Sequence, residues 1–146
     1  MNTRKIFIAC IMLMGITMAN LAAKTIQVTF NYKFSNIVEG YDHNSRLKVY
    51  LDGALIGTSG NHLESKPNSF TVQFESGYHQ LRAVVETEYE GVWEEHTIAN
   101  TYSIDCLYDN AMTFAKPKTI IKIDFDIDLG AIINGKFNGV KVKKKK

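Results

Sequence analysis

From Thr25 to Ser35 the chain alternates without a fault. Ile26, Val28, Phe30, Tyr32 and Phe34 fall on one side, and Gln27, Thr29, Asn31, Lys33 and Ser35 on the other. A period of two over three turns' worth of helix is incompatible with an amphipathic helix, whose apolar positions recur every 3.6 residues. It predicts a long β-strand with one face buried and one wet. The same pattern recurs downstream in Leu47/Val49/Leu51, Phe70/Val72/Phe74, Leu81/Ala83/Val85 with Tyr89, and Ile121/Ile123/Phe125/Ile127. No stretch after residue 23 sustains a helical period, so an all-β fold is expected.

The stretch Arg46–Ala99 is punctuated by Asp52-Gly53, Ser76-Gly77 and Glu90-Gly91. Glycine supplies the positive φ of tight turns, so each pair predicts a hairpin between successive antiparallel strands. Val84 interrupts the outward polar series of its strand, which predicts a neighbour covering it. A short strand is expected over Tyr102–Tyr108, a loop over 109–118 around Pro117, and a closing strand over Thr119–Asp128. Seven to eight such strands imply two packed antiparallel sheets.

The ends carry different signals. Arg4 and Lys5 precede an apolar run from Ile6 to Ala19, and Leu21-Ala22-Ala23 supplies small residues before Lys24. This is the pattern of a secretory signal peptide cleaved after Ala22 or Ala23. The run falls short of the roughly 20 apolar residues of a membrane span, so no stable membrane insertion is expected after cleavage. Export to the periplasm, the cell surface or the medium follows. The expected organisation is a signal peptide over 1–23, a β-sandwich domain over 24–129 and a flexible basic tail over 130–146.

Of the 17 Lys and Arg residues, two lie in the leader and five in the last six positions, leaving 10 basic against 15 acidic residues over 24–140. Five lysines without interleaved aromatics offer non-specific attraction, so no specific nucleic-acid partner is expected. Beyond the leader, Cys106 is the one cysteine. No internal disulfide is available to it, and its phase with Ile104 predicts a buried thiol.

Val49-Tyr50-Leu51-Asp52-Gly53-Ala54-Leu55-Ile56-Gly57-Thr58, followed by Phe70–Ala83 with Gly77-Tyr78-His79, resembles bacterial extracytoplasmic Ig-like and PEGA-type β-sandwich modules. Those modules share a strand-DG-x-x-x-G hairpin and a later Gly-x-His opening an alternating strand. The proline that follows the second glycine in PEGA modules is absent here, and Ser59–Ser69 is an enlarged loop. The resemblance covers residues 46–86. It implies an Ig-like sandwich and a non-catalytic part of an envelope or surface protein, and it carries over no active-site residue.

Candidate chemistry is sparse. Asp124, Asp126 and Asp128 alternate like the opening of a calcium loop, but Leu129 stands in place of the required glycine and Gly135 in place of the bidentate Glu. His43, His62, His79 and His96 form no tight zinc motif; pairing about Glu90-Gly91 sets His96 opposite Val85, well away from His79. No nucleophile elbow or metalloprotease helix motif is present, and a carboxylate pair such as Glu86/Glu94 is the remaining hydrolytic option. No catalytic residue and no cofactor are therefore expected. Trp93, Tyr50, Tyr78 and Tyr89 are the candidate ligand-binding side chains, as stacking platforms for a cell-surface glycan or anchors for a partner protein. Trp93 has a competing place in the sandwich core, where a buried Trp sits in Ig domains. The functional expectation is an exported, non-catalytic binding module, with a carbohydrate-binding module as the alternative.

Overall fold

A computed structural model describes residues 23–137. The expected leader, Ala23 apart, and the lysine-rich residues 138–146 lie outside the described residues. Among the described residues no helix is long and apolar enough to cross a membrane. The fold is all-β, in two sheets packed face to face.

The strands are β1 (Thr25–Ser35), β2 (Asn44–Leu51), β3 (Ala54–Thr58), β4 (His62–Leu63), β5 (Asn68–Glu75), β6 (Gly77–Tyr89), β7 (Val92–Glu95), β8 (Leu107–Phe114), β9 (Lys118–Asp126), β10 (Gly130–Ile133) and β11 (Lys136–Phe137). A 3-10 turn at Ile98–Asn100 sits between β7 and β8. The first sheet runs β11-β10-β9-β1-β5, and β1 pairs parallel with β9 and antiparallel with β5. The second sheet runs β3-β2-β6-β7, with β4 also on β2 and β8 also on β6. Strand β6 is long enough to pair with β8 along its first half and β7 along its last.

The alternating residues of β1 form the floor of the core. Ile26, Val28, Phe30, Tyr32 and Phe34 are all buried, against Leu47 and Val49 of β2, Leu81, Ala83 and Val85 of β6, and Ile121, Ile123 and Phe125 of β9. Phe30 is fully buried and meets Tyr108 edge-on, with ring centroids 6.0 Å apart. Ile104 and Cys106 are buried as their phase predicts, and burial pushes the Cys106 thiol well above its ordinary pKa.

Four expectations are corrected. Asp52-Gly53 and Glu90-Gly91 do make hairpins, with positive φ at both residues of each pair. Ser76-Gly77 does not: β5 belongs to the first sheet and β6 to the second, so this pair turns the chain across the sandwich. The short strand expected over Tyr102–Tyr108 begins at Leu107 and runs through the expected loop to Phe114. Pairing with β6 from Gly77 to Val84 supplies the ladder that this weakly alternating segment does not announce. The tail expected from residue 130 instead starts with the β10–β11 hairpin, closed by Asn134-Gly135, both at positive φ. With β4, β10 and β11 the described residues hold eleven strands, against the seven to eight expected.

Because Phe30 is closed in from both sheets, Phe30→Ala should lower the unfolding free energy by about 3–5 kcal/mol, and Phe30→Leu by clearly less. Urea denaturation at neutral pH, read by far-UV circular dichroism, measures both.

Candidate functional site

Residues facing each other across β2, β6, β7 and β8 share a face, so register sorts every side chain to the core or to the outside. Outward lie Arg46, Lys48 and Tyr50 of β2, Arg82, Val84 and Glu86 of β6, and Trp93 and Glu95 of β7. Glu86 is buried here because two cations close over it. Arg46 Nη2 lies 2.6 Å from Oε2, and Lys48 Nζ lies 2.7 Å from Oε1. Burial alone would raise the carboxyl's pKa, but the hydrogen bonds and charges of Lys48 and Arg46 outweigh it and hold the pKa low. Arg46 also lies over the Trp93 ring, 4.2 Å from its centroid. Arg82 makes a two-pronged pair with Glu95 at 2.8 and 3.2 Å and lies 5.7 Å from the Tyr50 ring centroid. Val84, fully buried on this face, sits between Lys48 and Leu107 as its sequence position predicts.

Trp93 is accordingly half-buried on the outer face and does not plug the core. Tyr50 and Tyr78 share that face; Tyr78, opposite Thr113, is 72% exposed. Trp93 lies opposite Glu88 and Tyr50 opposite Arg82, six positions apart along β6, or roughly 20 Å. The three rings therefore do not converge. Tyr89 points to the other side. The carboxylate pair Glu86/Glu94 is split the same way, because Glu86 is opposite Glu95 while Glu94 is opposite Thr87 on the inner face.

Asp124 and Asp126, at the end of β9, serve local structure, and Asp128 contributes its backbone N–H. Asp124 accepts the Ser35 hydroxyl at 2.6 Å and pairs with Lys33 at 2.9 Å. Asp126 is buried; it accepts the backbone N–H groups of Asp128 and Leu129 and the Asn36 amide, each at 3.0 Å. No cluster of three metal-ligating side chains occurs among the described residues. His79 and His62 stand apart from each other, each in its own local contacts. His79 Nδ1 lies 2.7 Å from Asp52 Oδ2, while the Gln80 N–H donates to Asp52 Oδ1 at 2.9 Å. The Asp-Gly hairpin and the Gly-x-His corner thus hold each other, and His79 keeps the Asp52 carboxyl below its ordinary pKa. His62 meets the Tyr32 hydroxyl at 3.0 Å and contacts Asn68.

The inner face has the more distinctive chemistry. At the end of the sandwich where β1, β7 and β9 finish, the sheets part into a cleft of about 410 Å³. Its floor holds a buried polar triad of Glu64, Thr87 and His96. The Thr87 hydroxyl donates to Glu64 Oε1 at 2.9 Å, and His96 Nδ1 lies 3.1 Å from the same oxygen. Thr87 has one proton to give, so the network assigns the next proton to His96 Nδ1. His96 is boxed between Tyr102, with ring centroids 4.1 Å apart, and Phe34 at 5.8 Å. The Tyr102 hydroxyl donates to Glu94 Oε1 at 2.9 Å, and burial together with that carboxylate raises its pKa. At the mouth the rings of Tyr41, His43 and Tyr89 touch in series, at 6.1 and 5.9 Å, with Tyr41 and Tyr89 over half exposed.

Of the four aromatic residues expected to bind ligand, only Tyr89 lines this cleft. Glu64 lies in the polar loop and Tyr102 in an irregular segment, where no periodicity gives a side chain a direction. The two-residue spacing of Glu94, on β7, and His96, just past its end, is the one local signal for this grouping. A broader, open depression of about 560 Å³ on the first sheet is lined by residues of β1, β5, β9 and β10, among them Asn31, Lys33, Lys122 and Asp124. The chain matches no protein-family model, no curated protein and no solved structure.

The ion pairs on the outer face set the acid response. Glu86 has a lowered folded-state pKa, so its contribution is full above the unfolded carboxylate value of about 4.3 and fades as pH falls through the lower folded value. Arg46 and Lys48 are about a quarter exposed, so water offsets part of the loss. Glu86→Gln should cost about 1–2 kcal/mol at pH 7, and the gap to wild type should narrow as pH falls below the unfolded carboxylate value of about 4.3. Paired urea titrations at pH 7 and pH 3.5 give both values.

Proposed function

We propose that this protein is an exported, non-catalytic binding module that receives its ligand in the cleft at the end of the sandwich. The observation that carries the reading is the cleft's construction: an aromatic mouth over a small set of convergent polar groups, the usual make-up of a ligand site. Apolar side chains Ile37, Val38 and Ile127 complete its walls. The leader pattern of residues 1–23 and the resemblance of residues 46–86 to Ig-like and PEGA-type modules support placement in the cell envelope, at its surface or outside it.

Binding rather than turnover is favoured by the state of the reactive groups. The Cys106 thiol is fully buried with a raised pKa, which suppresses the nucleophilic thiolate. His96 directs Nδ1 to Glu64 and Thr87 and has aromatic rings on both sides, so its surroundings serve to hold it in place. Glu86, the other half of the hydrolytic carboxylate pair, is engaged by two cations.

The second reading is a carbohydrate-binding module working from the outer face, favoured by the half-exposed Trp93 with Tyr50 and Tyr78 on the same side. Two-dimensional NMR of the labelled protein separates the two. Titration with pooled glycan fragments, short peptides and small amines should shift resonances of Tyr41, His43, Tyr89 and Tyr102, and Tyr89→Ala should weaken the response about tenfold. Shifts confined to Trp93 and its strand neighbours with a glycan would favour the second reading instead.

A further inference from the structure

We infer that the cleft selects an organic ammonium cation, with Glu94 as its counter-charge and the tyrosines of the cleft as its π-faces. The inference rests on the binding-module reading and names the ligand's chemical class. Among the described residues, neither lysine nor arginine lines the cleft, although two glutamates do. On the opposite face of the same strands, Glu86 and Glu95 each have a basic partner. Glu94 faces the cleft, accepts the Tyr102 hydroxyl and forms no ion pair with lysine or arginine among the described residues. Alternation along β7 therefore sends one glutamate to a cation already in the fold and the next to a cavity without one.

Aromatic geometry points the same way. The Tyr41–His43–Tyr89 series at the mouth and Tyr102 at the floor line a half-sheltered volume with aromatic rings. A ring face is negative, so it attracts an alkylammonium group and repels a carboxylate or phosphate. Both hydrogen bonds drawn to the buried Glu64 fall on Oε1, which leaves the rest of that carboxylate to add negative potential at the floor. An anionic ligand would meet two carboxylates with neither lysine nor arginine in the lining. An uncharged ligand of the same shape would leave Glu94 without its partner.

The test compares choline with 3,3-dimethylbutan-1-ol, its uncharged isostere of nearly equal shape, by NMR titration of the full protein. Choline should shift the cleft tyrosines and bind about tenfold more tightly than the alcohol. Glu94→Gln and Tyr89→Leu should each weaken choline several-fold, while Trp93→Phe leaves it unchanged; melting temperatures confirm that all three variants fold. A parallel titration with N-acetyl-lysine methylamide identifies the source. Tighter binding of the lysine derivative assigns the ammonium to a protein partner, and tighter binding of choline assigns it to a small molecule or lipid headgroup. Equal binding of the alcohol, or choline binding indifferent to both cleft variants, overturns the inference while leaving the binding-module reading. Failure of these probes and of the whole ligand panel to shift the cleft overturns both.

Discussion

The two-sided pairing of β1 is the constraint on which the rest of the molecule depends. One face of this strand supplies five consecutive inward side chains, and its two edges are taken by β5 and β9. The parallel pairing with β9 brings together segments about ninety residues apart and closes the first sheet around the strand that leads the fold. With β1 central, β5 and β8 must each hand the chain across the sandwich, at Ser76-Gly77 and around Pro117. The Gly77 corner is held by reciprocal bonds between Asp52 and the His79–Gln80 pair, which tie the first hairpin of the second sheet to the entry into its longest strand.

A strand with two useful faces explains how charge is distributed. On β6 and β7, successive residues are sent alternately to the outer surface and to the space between the sheets. Outward, cations and carboxylates neutralise each other in a lattice that also covers part of Trp93 and Tyr50. Inward, where the sheets diverge, the same alternation leaves carboxylates, imidazole and phenol rings around a cleft. Burial makes these groups consequential, because each polar atom removed from water needs a partner. The Glu64–Thr87–His96 triad supplies such partners, and among the described residues no buried side-chain nitrogen or oxygen is left without one.

Much of the strand pattern was legible in local sequence. β1 has the bounds its alternation predicts, Val84 is covered as its phase requires, and His96 donates its N–H to the Val85 carbonyl. Ser76-Gly77 shows the limit of such reasoning. A serine-glycine pair between two ladders has the same local chemistry whether the chain folds back beside itself or crosses to another sheet. Trp93 shows it too: its phase was readable, but whether that phase faced the core or Arg46 depended on which strand lay alongside. The β8 segment carries little alternation of its own and becomes a strand because β6 offers an open edge.

Local pattern was enough to make this an all-β chain, because a period of two buries one face only in extended backbone. It also determined two of the hairpins through turn pairs that accept positive φ, and a buried Cys106 through its phase. Which sheet each strand joined was settled by packing, since pairing is made by backbone groups common to every residue. Packing alone decided the candidate site as well. Glu64, Glu94, Tyr102 and Tyr41 come from four separate segments, and no local period encodes the convergence of side chains that only the packing of two sheets brings to one end.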